Sequence, residues 1–332
     1  MGLPCGATGH FTSGGSEANF TALVCALTYA NENYAAYGVR VLNGAPTFYV
    51  SRESHLAWIK IAHEAGIGRA AARLIATDGF GRMDVEALRK AIEEDQATGQ
   101  VPFLIVATAG TTGAGMIDPL AECSAIAKEH NLWCHADAAW GGAVVVSDRL
   151  RPFIAGLELA DSITIDAHKW LATTMGCGMY LTQRSSVLSA AFNVSNSYMP
   201  SYIPSSDPYP MSAQWSRRFM GLRLFLSLAA SGWAGYAEHV GHSVALAVYM
   251  REILERKGWR VVNNSPLAVV CTLPPKEDAD VETIVNRLLA SGRGWASVAA
   301  FEGKKIIRAC VTSGETARAD VDEFVLALQA AL

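Results

Sequence analysis

Residues 162–171, "SITIDAHKWL", begin as a strand and end as something else. Ser162-Ile163-Thr164-Ile165 is β-branched and half apolar, the composition of a buried strand. Asp166, His168 and Lys169 then bring a carboxylate, an imidazole and an ammonium to its end, and Trp170-Leu171 turns apolar again. Lysine is rarely placed beside a core without a partner. Lys169 therefore reads in two ways. It is an amine that forms a Schiff base, or it is a lysine whose stem covers apolar surface while its head stays in water. What the rest of the chain brings to the same strand end decides between them.

Working outward, short β-rich runs alternate with helical patterns as far as about residue 185. "SEANFTALVCALTYA" reads as a helix, "PTFYVS" as a strand, and "HLAWIKIAHEAG" as a helix stopped by Gly66. "AARLIAT" is a strand, Asp84 caps the helix "VEALRKAIEEDQ", and "PFLIVATAG" is a strand. "PLAECSAIAKEH" is a helix with proline in its first turn, and "NLWCHADAA", "DSITIDAH" and "GCGMYLTQ" are strands. This alternation predicts an α/β fold, a mostly parallel sheet with helices on both faces. The stretch "NVSNSYMPSYIPSSDPYPMS" has no period and reads as a long loop, about residues 195–213. A long helical region follows, which Gly232 divides in two. From about Trp259 a small α+β unit appears: "PLAVVCTL", "DVETIVNRLLAS", "KKIIRACVT" and the terminal helix "ARADVDEFVLALQAAL". The expected division is a large domain over residues 1–255 and a small C-terminal α+β domain over 256–332.

Composition narrows the function. The 332 residues are 51% hydrophobic and 17% charged, which describes a globular chain with a substantial core. A formal net charge of −4, with scattered histidine and arginine, gives no attraction to nucleic acid or acidic membranes. The seven cysteines form no CxxC pair or zinc spacing and mostly sit in apolar runs. A reducing, cytoplasmic setting fits them, and no metal site is expected. No signal-peptide pattern opens the sequence, and no apolar stretch is long enough to span a bilayer.

Four more segments carry groups that do chemistry. In "TSGGSEAN", Gly14-Gly15 precedes a helix, so its exposed N–H groups suit a phosphate, or the pair makes a tight turn capped by Ser16. It is neither a Walker loop nor a dinucleotide fingerprint. "LWCHADAAWGG" ends a strand on Asp137, the edge where open α/β sheets bind ligands, with small residues after it that leave room for something flat. Asp137 equally fits a local turn cap. His55 lies at a helix start and Thr111-Thr112-Gly113 follow a strand, each with an ordinary turn or helix-end alternative. Together they are more specific than any one alone. Pyridoxal 5′-phosphate needs N–H donors for its phosphate, a face for its ring, a carboxylate for its pyridine nitrogen and a lysine for its aldehyde.

With "FTSGGSEANFTAL", "HADAAWGG" and "DAHKWL" as carriers, and "ATAGTTGAGMIDP", "RRFMGLRLF" and "IIRACVTSGET" in support, the chain resembles the group II pyridoxal-phosphate decarboxylases over nearly its whole length. That family includes the aromatic-L-amino-acid, tyrosine and glutamate decarboxylases. The resemblance implies the aspartate-aminotransferase-like fold type I with a seven-stranded sheet, and a homodimer whose active sites lie at the subunit interface. It implies that Gly15 and Ser16 hold the phosphate with His168, that His55 stacks on the ring with Thr112 nearby, and that Ala139 packs on the opposite face. Asp137 pairs with the pyridine nitrogen, Lys169 is the Schiff-base lysine, and Asp166, standing where asparagine also occurs in the family, is a further cofactor-binding residue that contacts the phosphate.

The implied activity is that of a carboxy-lyase converting an L-amino acid, foremost an aromatic one, to its amine and CO2. Tyr209, in a loop supplied by the neighbouring subunit, matches the residue that protonates the product carbon, with Tyr198 and Tyr202 close by. Glutamate or diaminobutyrate decarboxylation, aromatic aldehyde synthesis and cofactor binding without turnover are the alternatives. Family members carry a helical arm ahead of the glycine-rich segment; here that segment begins at Phe11, so a member without the arm is expected.

Overall fold

A computed structural model describes residues 1–194 and 208–332. Tyr198 and Tyr202 fall outside the described residues.

Two sheets organise the chain. The larger is built from β1 (Thr8–Thr12), β2 (Pro46–Ser51), β3 (Ala72–Ile75), β4 (Val101–Thr108), β5 (Trp133–Asp137), β6 (Ser162–Asp166) and β7 (Gly178–Thr182). Its order is β1-β7-β6-β5-β4-β2-β3. Strands β3, β2, β4, β5 and β6 are mutually parallel, whereas β7 runs antiparallel to both of its neighbours. The expected mostly parallel, seven-stranded sheet is thus present. Strand β1 is an addition that the sequence reading passed over, because "TGHFT" is short and carries glycine and histidine where a strand pattern wants apolar residues.

Every residue of β2, β5 and β6 is buried, as expected for strands covered on both faces. On one face α1 (Gly15–Ala30) sets Leu23 and Leu27 against Phe48, Phe103 and Trp133. The short α2 (Tyr34–Tyr37) follows α1, and α3 (Ala57–Glu64) adds Trp58 and Ile61 to the same face. On the other face lie α4 (Val85–Ala97) and α5 (Leu120–Glu129), which supply Leu88, Ile92 and Ile126. Asp84 does cap α4, accepting from the N–H groups of Glu86 and Ala87. Pro119 occupies the N-cap position of α5, one residue before the first turn where the sequence placed it.

After α6 (Ser185–Phe192), the long α7 (Gly221–Arg256) packs Val240 and Leu254 on the second face. Gly232 has φ 65 and ψ 176 inside α7, so the chain there is two helices meeting at a kink, as the glycine predicted. The second sheet has four antiparallel strands in the order β10-β11-β9-β8. These are β8 (Arg260–Val261), β9 (Val269–Leu273), β10 (Ser297–Phe301) and β11 (Lys304–Cys310), and α8 (Val281–Ser291) and α9 (Arg318–Ala330) accompany them. Strand β10 is a further addition: Gly303 at φ 74 makes the tight turn joining it to β11. Among the described residues, no helix is long and apolar enough to cross a membrane.

The parallel strands deliver their last residues to one edge. Thr108 pairs in register with Asp137, and Asp137 with Thr164, so β4, β5 and β6 end side by side. That edge is where a crevice forms in open α/β sheets.

Candidate active site

A cavity of about 430 Å³ opens at this edge. The start of α1 lines it with Gly14, Gly15, Ser16 and Asn19, and the segment before α3 adds His55. Thr108, Thr111 and Thr112 come from the end of β4 and its loop. Asp137, Ala139, Asp166, His168 and Lys169 come from the ends of β5 and β6, and Arg308 from β11. All the residues proposed from the sequence except Tyr209 therefore meet in one cavity. Tyr209 lies outside it and packs its ring on Trp215, centroids 4.9 Å apart.

The N-terminus of α1 begins with Gly14 as N-cap, and no side chain caps it. Ser16 is inside the first turn, which corrects the alternative that made it the cap. The first N–H groups of a helix have no acceptor within it, so Gly15 and Ser16 present theirs to the cavity. Gly15 is required by contact: a Cβ there would lie 2.8 Å from Asp166 Oδ2 and 3.4 Å from Ala139 Cβ. Glu17, the acidic residue of this turn, is engaged by the Ser13 N–H and hydroxyl, both at 2.7 Å.

His168 accepts the Cys177 N–H on Nδ1 at 3.2 Å, which leaves Nε2 as the protonated, donating nitrogen. His55 likewise accepts the Ala57 N–H on Nδ1 at 3.0 Å. Its exposed ring stands at the mouth of the cavity, just ahead of α3 rather than within it. Lys169 Nζ sits 3.0 Å from Asp166 Oδ2. Its side chain is 36% exposed against 2% for Asp166, so the ammonium faces the cavity from a buried carboxylate. The other Asp166 oxygen, Oδ1, is buried with no partner. Gly178 leaves room for it, since a Cβ there would be 2.7 Å away.

Asp137 is 4% exposed and held from behind. Its Oδ2 accepts from Asn19 Nδ2 at 2.8 Å and from Trp58 Nε1 at 3.2 Å. Its Oδ1 accepts only a long bond, 3.3 Å, from the Ala139 N–H, and so keeps a lone pair for the cavity. The glycines after it allow close packing. A Cβ on Gly141 would collide with the Ala109 carbonyl oxygen, and one on Gly142 would come within 2.7 Å of Ile165. Trp140 then stacks on Trp170 at 4.3 Å, bracing this loop against the residue after Lys169. Thr111 caps its own turn by accepting the Met116 N–H at 3.0 Å, the ordinary role, whereas Thr112 stays exposed at the cavity.

Two contributions escaped the sequence reading. Asn19 is a polar residue on the buried face of α1, and its place among Ala18, Ala22 and Leu23 was the available signal. Arg308 reaches the cavity from the second sheet, donating Nε–H to the Thr112 carbonyl at 2.8 Å. Nothing local in "IIRACVT" shows that contact.

The cavity tests well for pyridoxal 5′-phosphate. Unpaired helix N–H groups and an imidazole donor lie at one end. A carboxylate oxygen with a spare lone pair lies at the base of a neighbouring strand, and an amine borders the space between them. Ala139 presents only a methyl group to the cavity, which leaves space for a flat ring.

The pyridoxal-dependent decarboxylase conserved domain matches residues 1–272 of the chain, and the chain belongs to that family of pyridoxal-phosphate-dependent carboxy-lyases. An aromatic-L-amino-acid decarboxylase of Bacillus atrophaeus is 31% identical, over 99% of this chain and 70% of its own length. An acidic amino acid decarboxylase of Bos taurus is 31% identical over 95% of this chain and 64% of its own length. The crystal structure of mouse CSAD superimposes with a TM-score of 0.93 at 29% identity, covering 99% of this chain and 72% of that one. The chain thus spans about two thirds of the length of these relatives.

Proposed function

We propose that the protein decarboxylates an L-amino acid to its amine and CO2 with pyridoxal 5′-phosphate, and that its preferred substrates are aromatic. The observation that carries the reaction class is the meeting of Lys169, Asp137 and the N-terminus of α1 in one cavity. The aromatic preference is supported by the similarity of 99% of this chain to the Bacillus atrophaeus relative and by Tyr209. The acidic substrate named for the Bos taurus relative makes glutamate the second reading.

When bound, the cofactor supplies an aldehyde that condenses with amines and a ring that accepts electrons from a breaking carboxylate bond. The Gly15 and Ser16 N–H groups and His168 Nε2–H bind the phosphate. Lys169 Nζ is the amine for the aldehyde, and Asp166 Oδ2, 3.0 Å away, takes its proton. That assigns Asp166 to the lysine rather than to the phosphate, which a second anion would repel. Asp137 Oδ1 accepts the ring N–H and keeps that nitrogen protonated. His55 and Ala139 would hold the ring between them, with Thr112 beside it, since all three line the cavity. With Lys169 committed to the aldehyde, Arg308 is the remaining guanidinium or ammonium among the residues lining the cavity, and it grips the substrate carboxylate.

Tyr209 returns a proton to the α-carbon after CO2 leaves. Its place outside its own cavity is consistent with delivery to the cavity of a neighbouring subunit in a homodimer. The exposed apolar side chains of Phe225, Leu226 and Trp233 on α7 support such an assembly.

The decisive experiment adds pyridoxal 5′-phosphate to the purified protein and reads the visible band of the lysine-bound cofactor. It then measures CO2 and amine from tyrosine, DOPA, tryptophan, phenylalanine, histidine, glutamate and diaminobutyrate. The band is expected in the native protein and not in Lys169→Ala, with the aromatic amines as products. A bound cofactor with no CO2 from any amino acid would overturn the enzyme reading in favour of a binding protein.

A further inference from the structure

From Asp137 and Asn19 at the cavity wall inward to Trp133, five side chains form one hydrogen-bonded chain. Trp133 Nε1–H donates to Ser162 Oγ at 2.8 Å, and Ser162 Oγ lies 2.7 Å from His135 Nδ1. His135 Nε2 lies 3.2 Å from Asn19 Oδ1, and Asn19 Nδ2–H donates to Asp137 Oδ2 at 2.8 Å. Thr164 Oγ1 is also 3.2 Å from His135 Nε2. Asn19, His135, Ser162 and Thr164 are all between 0% and 3% exposed, so these bonds are shielded from bulk solvent.

Counting donors fixes the direction of the whole chain. An ionised carboxylate only accepts, so Asn19 must turn its NH2 to Asp137 and its carbonyl oxygen to His135. That oxygen also only accepts, so His135 Nε2 carries the proton. Nδ1 is then bare and accepts from the Ser162 hydroxyl, whose oxygen in turn accepts from Trp133. From Trp133 to Asp137 each proton then has one place, and Thr164 Oγ1 shares the Nε2–H as a second acceptor. Were Asn19 flipped, two acceptor oxygens would face each other at Asp137, which is unfavourable for a buried carboxylate.

We infer that His135 is a positioning residue: as a neutral imidazole with its proton on Nε2, it locks the Asn19 amide, and Asn19 holds the Asp137 carboxylate aimed at the ring nitrogen. This rests on the reading of Asp137 as the partner of that nitrogen. Burial pulls the His135 pKa down to about 4 against the opposing pull of the Asp137 charge, which keeps the imidazole neutral. Neutrality matters, because an imidazolium one amide away would compete with the ring nitrogen for the same carboxylate. The Trp58 ring, edge-on to His135 at 5.7 Å, and Tyr180, stacked at 6.5 Å, close the other sides with apolar faces.

The test titrates the full-length apoprotein with pyridoxal 5′-phosphate and follows how the bound cofactor's visible band changes with pH. It compares Asp137→Ala, Asn19→Ala, His135→Leu, His135→Gln and the Asn19→Ala/His135→Leu double variant. Asp137→Ala is expected to weaken binding and shift the pH profile. His135→Leu and Asn19→Ala should each weaken binding about tenfold and shift the profile the same way. The double variant should be no worse than Asn19→Ala. His135→Gln, whose amide N–H replaces Nε2–H, should stay within about threefold of the native protein.

Multiplying effects in the double variant, or a His135→Leu profile identical to the native one beside a shifted Asp137→Ala profile, overturns the positioning role while leaving Asp137 in place. No effect from Asp137→Ala overturns both assignments. If His135→Leu does not fold, His135→Gln is compared with His135→Asn, whose amide reaches only the Nδ1 position. Tight binding by Gln with loose binding by Asn supports the relay, and equal binding sinks it.

Discussion

Asp166 and Gly15 show how single atoms set the shape of the site. The Asp166 carboxylate lies under the first turn of α1 with one oxygen on Lys169 and the other buried without a partner. It fits only because position 15 has no Cβ to meet it at 2.8 Å. Gly15→Ala is expected to push the start of α1 away from Asp166 and misplace the N–H groups offered to the phosphate. Overpacking of this kind costs about 1–3 kcal/mol. The loss should appear in pyridoxal-phosphate affinity measured by titration, with a smaller change in apoprotein Tm. These residues were legible in the sequence as chemical types, because carboxylate, imidazole and amine at a strand end have few ordinary uses together. Their division of labour was not. That Asp166 holds Lys169, while Asp137 is held by Asn19 and Trp58, depends on neighbours more than seventy residues away in the chain for Asp137 and three for Asp166.

At the level of helices and strands, local chemistry and burial contribute separately. The Asp84 cap on α4 is a local device and was readable from "DVEAL". Asp84→Ala, which removes the acceptor for the Glu86 and Ala87 N–H groups, should lower stability by about 1 kcal/mol. Thermal melts of the apoprotein check this, and cofactor affinity should not change. Fully buried strands such as β2, β5 and β6 announced themselves through their aromatic and β-branched residues. Strand β1 did not, because its role is to close the sheet against β7 and its own sequence is mixed. There His10 is buried with neither ring nitrogen paired, beside the Tyr180 ring at 5.7 Å. No pattern of period two predicts such a residue; only the partner strand explains it.

For the molecule as a whole, the buried ionisable groups predict how stability follows pH. Burial lowers the pKa of both His10 and His135 from 6.5 to about 4, so the unfolded chain takes up their protons first on acidification. Stability from these two is present above about 6.5 and is lost as pH falls toward 4. Asp118, which accepts the Met83 and Thr108 N–H groups, acts in the opposite sense. Burial raises its pKa from 3.8 to about 6, so the folded state gains there as pH falls through that window. Two histidines outweigh one carboxylate, and the apoprotein Tm is expected to drop between pH 6.5 and 4. His10→Phe should flatten part of that drop, raising Tm at pH 5 relative to the native protein more than at pH 7.5.

The two sheets also meet function at one point. Arg308→Leu should reduce CO2 release and raise KM for the amino acid, while pyridoxal-phosphate affinity measured by titration stays close to native.

Arg308 lies on β11, far along the sequence from the helix start at Gly15. During synthesis, then, the cofactor end of the crevice leaves the ribosome well before its guanidinium. A nascent polypeptide released ahead of β11 would hold every group assigned to the vitamin and none assigned to the carboxylate of its amino acid. Turnover thereby certifies that translation ran past β11.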